Sequence, residues 1–200
     1  ESPTPHIAHP PQTHHRDFYV ATDGSFRESG GGLGAVIETR DGTRVARVAT
    51  TDASPNNNVA EYRALHLGLD VLATRAPQDA SVGVLIDHDA LASNVNNAIL
   101  ATQHPDGKSP RRVSIPAATR NHWRGIRARL CGFDEVRAAR IDSGQNPAHP
   151  LANAPEQYCH VNRKPDRCVI PDPSEPTAPA EFPPPSRADR NGTGGGRASD

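Results

Sequence analysis

The chain has 200 residues, a formal charge of -1, a hydrophobic fraction of 34% and 20 prolines. That length suits one ordinary domain or a domain with tails, and so little apolar content with so much proline leaves part of the chain without the means to fold. Near-neutral charge excludes a global field that would draw the protein to nucleic acid or membrane, so any such contact must come from a local patch. No apolar run approaches the roughly 18–20 residues a bilayer span needs. The N-terminus lacks a basic start followed by an apolar stretch, so no signal peptide is expected. The odd set Cys131, Cys159 and Cys168 argues against a disulfide framework. A soluble, cytoplasmic protein is the expectation. The sequence starts at Glu1 and holds no methionine, which reads as a fragment or processed form.

Residues 1–16 are polar, proline-rich and aperiodic, and are expected to form a disordered tail. Residues 18–22 read as a first strand, 33–38 as a second and 44–50 as a third, with an Asp41-Gly42 turn closing a hairpin between the last two. Asn56, Asn57 and Asn58 offer caps for a helix over 59–73, in which Glu61, Ala64 or Leu65, Gly68 and Leu72 share a face. A compact apolar strand follows at 82–86 and a helix at 89–100. Residues 101–118 are turn-rich and carry no assignment. An amphipathic helix spans 119–132, with Trp123, Ile126 and Leu130 on one face and Gly132 at its end. Residues 136–141 form a fifth strand, and a short helix fits 147–154. Beyond it, prolines and a terminal glycine run predict a second disordered tail over 155–200. The foldable domain is therefore 17–154. Its order, three hairpin-linked strands followed by α/β crossovers, implies an α/β protein with a mixed sheet and helices on its faces.

Three carboxylates stand at the places where this pattern changes. Asp23 follows the first strand in Tyr19-Val-Ala-Thr-Asp23-Gly24-Ser25, Glu61 lies in the first turn of the first long helix, and Asp87 ends the fourth strand. A carboxylate at the exit of a buried strand is costly unless a partner or metal neutralises it. Two strand ends and one helix start can converge at one sheet edge, where hard divalent cations relieve the mutual repulsion. Each residue alone also has an ordinary reading: a turn, a complement to the helix dipole, a helix cap. The combination in this order is what points to a metal site.

On these residues the chain resembles the type 1 ribonuclease H family, within the group that includes reverse-transcriptase-like domains. The resemblance covers about 17–154. It rests on the segment around Asp23, the glycine-rich Gly30-Gly-Gly-Leu-Gly-Ala-Val-Ile37, the run Asn57-Asn-Val-Ala-Glu-Tyr-Arg-Ala-Leu65, and Leu85-Ile-Asp87 with Leu91 beyond it. It implies a ribonuclease H-like mixed five-stranded sheet, its first three strands antiparallel and the later ones parallel, flanked by helices. It further implies a two-metal Mg²⁺ or Mn²⁺ site and endonucleolytic hydrolysis of the RNA strand in RNA–DNA hybrids, leaving a 3′-hydroxyl and a 5′-phosphate. Asp23, Glu61 and Asp87 match the family's first three metal carboxylates. The fourth motif, Ala-Asp-x-Leu-Ala, is here Ala148-His149-Pro150-Leu151-Ala152, so His149 takes the place of the aspartate as metal ligand and catalytic group. The family's nearby asparagine is displaced as well: Gln145 has the expected spacing and Asn146 lies one residue closer. Imidazole suits Mn²⁺ better than Mg²⁺, which predicts Mn²⁺ at least as effective.

For nucleic-acid binding, Arg120, Arg124 and Arg127 recur at helical spacing, with Arg111 and Arg112 before them. The strip fits a phosphate track and a solvated helix face equally well. Gly24, Ser25, Asn57 and Asn58 are the expected contacts to the RNA 2′-hydroxyl. Gly30–Gly34 leads into a strand, not a helix, and so reads as a hairpin and not a phosphate loop. The histidines His6, His9, His14 and His15 resemble a metal-binding tract but fall in the expected disordered tail, and Cys159, His160 and Cys168 supply too few ligands at unsuitable spacing for a zinc site. The proline-rich segment 171–185 reads as a linker, and no protein partner is legible. Two other readings stay open: a catalytically weak nucleic-acid-binding module of the same fold, and a nuclease acting on another nucleic acid.

Overall fold

Side chains that alternate between two buried faces organise the sheet. In β1 (Phe18–Ser25) Val20 belongs to one apolar cluster, with Leu65 and Leu72, while Tyr19 and Ala21 belong to a second, with Leu85 and Leu151. The computed structural model describes residues 5–7, 15–104 and 113–158. Arg111, Arg112, His9, His14, Cys159, His160, Cys168, the segment 171–185 and most of the two expected tails lie outside the described residues. Packed structure is found on both sides of 17–154. Ile7 is buried in the second cluster, His6 pairs with the buried Glu38 at 2.8 Å, and Tyr158 is buried at the end of a 3-10 turn, Pro155–Tyr158.

The sheet has five strands in the order β3-β2-β1-β4-β5. β1 pairs antiparallel with β2 (Gly31–Thr39), which pairs antiparallel with β3 (Arg44–Asp52); β1, β4 (Ser81–Ile86) and β5 (Glu135–Arg140) run parallel. This is the mixed α/β arrangement the sequence predicts. The parallel crossovers are supplied by α1 (Asn57–Arg75), and by α2 (Asp89–Gln103) followed by α3 (Arg120–Leu130). A short helix, α4 (His149–Asn153), closes the other face. Among the described residues no helix is long and apolar enough to cross a membrane.

Two boundaries differ from expectation in ways that matter for the site. β1 continues to Ser25 because Asp23, Gly24 and Ser25 pair with Gly34, Leu33 and Gly32, so the glycine-rich stretch is strand, not turn. Glycine is a poor strand former, yet Gly34 is required here: a Cβ would lie 2.8 Å from Leu151 Cβ, so only its absence lets α4 sit down on β2. α1 begins at Asn57, with Asn56 as the cap accepting the Val59 N–H at 2.9 Å.

Candidate active site

The parallel register Ala21↔Leu85 brings the exits of β1 and β4 side by side, with Asp23 and Asp87 each two residues further on. Asp23 falls on the same face as Tyr19 and Ala21, the face that α4 covers, and α4 contributes His149. One ligand atom from each of Asp23, Asp87 and His149 lies within 4.8 Å of the others. His149 Nδ1 is 2.9 Å from Asp23 Oδ2, and its Nε2 is 2.8 Å from the Asn153 side-chain amide.

Glu61 arrives from the opposite face. Gly24 points toward α1, and a Cβ there would lie 2.6 Å from Glu61 N and still closer to the Ala60 carbonyl. The missing side chain lets the first turn of α1 lean over the strand end and bring Glu61 to Asp23. A Gly24→Ala chain is therefore expected to lose about 1–3 kcal/mol from forced displacement of α1. It should also lose most of any activity that depends on Glu61, as a thermal melt and a turnover assay on the same sample would reveal.

Both buried carboxylates resist ionisation. Glu61 is pushed up to about 9, first by burial and then by the charges of Asp23 and Asp87, while the Gly24 N–H pulls the other way. Asp23 is raised to about 6, again by burial and then by Asp87, against the opposing pull of His149 and Glu61. Glu61 Oε2 is buried with no hydrogen-bond partner among the described residues. Such an orphaned oxygen beside two further carboxylates is the environment a hard divalent cation satisfies. The donor set of carboxylate oxygens with one imidazole nitrogen fits that group.

The remaining expected residues fall in three groups. Ser25 is buried, donating to Ala152 O at 2.6 Å and accepting the Gly32 N–H, so its hydroxyl is engaged within the fold, and Gly24 is covered by α1. Asn57 is exposed and Asn58 half-buried in the first turn of α1. Arg120, Arg124 and Arg127 are all exposed on α3. Contacts of His122 with Arg63 and His66, and of Arg129 with Asp70, show α3 running parallel to α1, so Arg120 is nearest the site end. Asp89 is an exposed partner of Arg140, and His88, not Asp87, caps α2.

Sequence reading passed over Asn153, whose only signal is its position four residues after His149. It also undervalued Asn146, which is buried, donates to Thr22 O and accepts the Ala148 N–H, fastening α4 to β1. The exposed Gln145, at the family spacing, makes no such tie.

The same fold occurs in solved ribonuclease H domains. The chain is similar to the N-terminal ribonuclease H domain of a Mycobacterium tuberculosis protein, with a TM-score of 0.54 and 23% identity over 68% of this chain and 95% of that one. It is similar to ribonuclease H1 of the halophilic archaeon Halobacterium salinarum, at 0.53 and 24% over 71% and 98%. A ribonuclease H1 isolated from compost gives 0.55 and 21% over 68% and 93%. The protein thus has the ribonuclease H-like fold. No family model matches the sequence, and no curated protein matches it.

Proposed function

We propose that this protein is a metal-dependent endonuclease that hydrolyses the RNA strand of RNA–DNA hybrids. The observation that carries the reading is the meeting of Asp23, Asp87 and His149 within 4.8 Å, beside the buried and unsatisfied Glu61. Asp23, Glu61, Asp87 and His149 would hold two Mg²⁺ or Mn²⁺ ions, which would supply Lewis-acid charge at a phosphoryl oxygen and an acidified water. Asp23, central among these groups, would be the principal ligand, with Glu61 and Asp87 completing the oxygen set. His149, half-exposed at the mouth, would assist at the outer side, where product leaves. Asn57 and Asn58 would present their amides to the RNA strand, Gly24 and Ser25 would hold the strand end beneath them, and Arg120, Arg124 and Arg127 would follow the phosphates. Hybrid is the substrate class of first choice because the compost ribonuclease H1 has been solved in complex with an RNA/DNA hybrid.

The arginine strip has its own test. Replacing Arg120 and Arg124 with alanine should weaken hybrid binding and flatten its log–log salt dependence by about 1.8. An unchanged salt titration would leave α3 as a solvated face.

The function is tested by single-turnover cleavage of labelled hybrid, duplex DNA, duplex RNA and single strands across a metal series. Hybrid should be cut only with a divalent cation, with Mn²⁺ at least as effective as Mg²⁺. His149→Asp should shift the Mg²⁺-to-Mn²⁺ activity ratio toward Mg²⁺ by about ten-fold. Strict Mg²⁺ preference in the unmodified chain would count against His149 as a ligand. Hybrid binding without cleavage in either metal would leave a nucleic-acid-binding module of the same fold.

A further inference from the structure

We propose that Asn153 is the positioning residue of His149: its side-chain amide decides which imidazole nitrogen carries the proton, and so whether Nδ1 offers a lone pair to a cation beside Asp23 and Asp87. The inference rests on the metal site proposed above and goes beyond it in assigning control of the ligand. Both ring nitrogens are bonded, Nδ1 to Asp23 Oδ2 at 2.9 Å and Nε2 to the Asn153 amide at 2.8 Å. A carboxylate accepts and does not donate, so Nδ1 carries the proton and Nε2 accepts from the amide N–H. In that arrangement the Nδ1 lone pair is absent. For Nδ1 to bind a cation, the proton must stand on Nε2, and the amide must turn its oxygen toward it.

An amide makes that half-turn without changing shape or charge. A leucine at this position supports neither arrangement, and an aspartate supports only the second. The placement is built into the fold. Asn153 lies four residues after His149, one helical turn on along α4. The Arg27 guanidinium donates to the Asn153 carbonyl and the Ser25 hydroxyl to that of Ala152, so the end of β1, which carries Asp23, also fixes the end of α4. A histidine ligand whose other nitrogen is oriented by an acceptor binds metal more strongly, and loss of such a partner typically costs about 10–100-fold in affinity.

The experiment uses the full 200-residue chain. Imidazole ¹⁵N–¹H spectra, with His149 assigned through H149N, report the tautomer directly. Manganese affinity is measured by calorimetry. Wild type should show the proton on Nδ1 without metal and on Nε2 with saturating Mg²⁺. N153D should carry a proton on Nε2 with or without metal, and N153L should bind Mn²⁺ about ten-fold more weakly. Identical tautomers and identical Mn²⁺ affinities in all three proteins would overturn the role of Asn153. The two readings fail separately. A wild type that binds Mn²⁺ and changes tautomer but never cuts hybrid sinks the nuclease reading alone. One that cuts hybrid with a tautomer indifferent to residue 153 sinks this inference alone.

Discussion

An Asp23→Asn protein is expected to cleave RNA–DNA hybrid at least about a thousand-fold more slowly than wild type in single turnover, a rise of about 4 kcal/mol in the barrier. Asp23 is the residue on which the other groups converge: it is bonded to His149, raised in pKa by burial and then by Asp87, and its charge raises Glu61 in turn. Asparagine keeps its volume and one acceptor but removes the charge that would hold two cations together. Hybrid affinity should change little if the arginines and the amides of α1 carry the binding, so the loss should fall on the chemical step. The variant should fold at least as well as wild type without metal, because a buried and repelled charge has gone. A thousand-fold loss accompanied by an undiminished melting temperature separates a missing metal ligand from a damaged fold. Activity within ten-fold of wild type would remove Asp23 from the mechanism.

The second large effect is on stability. Glu61 is raised from its ordinary 4.5 to about 9 in the folded protein and Asp23 from 3.8 to about 6, so over that range the native state holds more protons than the unfolded chain. The stability they contribute is complete below about pH 4 and is lost as pH rises through the folded values. His122 works in the opposite sense. Burial first, then the neighbouring His66 and Arg63, lowers it from 6.5 to about 3, so its contribution is present above 6.5 and lost as pH falls. Between pH 4.5 and 6.5 the two slopes oppose one another. Between 6.5 and 9 that of Glu61 is uncompensated. The metal-free protein should therefore lose on the order of 2 kcal/mol over that alkaline window, about 4–8 °C in melting temperature. Glu61→Gln should abolish most of the fall, and millimolar Mn²⁺ should reverse it, since cations bind the ionised carboxylates and release protons. Calorimetric melts at three pH values, with and without metal, decide the matter. A flat profile would mean that Glu61 ionises freely and that its burial imposes no constraint.

Much of the site was legible because it is punctuated by changes of period. Asp23 and Asp87 stand where apolar strands stop, and Glu61 stands one turn into a helix whose start is marked by Asn56 to Asn58. The extension of β1 to Ser25 was not legible. Two of its three partners, Gly32 and Gly34, are glycines with little strand preference of their own, and the strand is held by α4, contributed from more than a hundred residues downstream. The polar interior between α1 and α3 was hidden for a related reason. Nothing in the helical spacing singles out Arg63, His66, Asp70, His122 and Arg129 as interior positions. They are buried because Arg63 finds Asp52 at 2.8 Å and Arg129 finds Asp70 at 2.7 Å, partners that only the tertiary fold supplies. Asn153 escaped notice because only the fold shows its amide against His149 Nε2.

Crystals of the protein grown with Mn²⁺ and recorded at the manganese absorption edge give the most direct test of the central claim. Anomalous peaks should lodge among Asp23, Glu61, Asp87 and His149 and disappear in Asp23→Asn. Peaks confined to other carboxylates, with nothing between these four side chains at millimolar Mn²⁺, would contradict it.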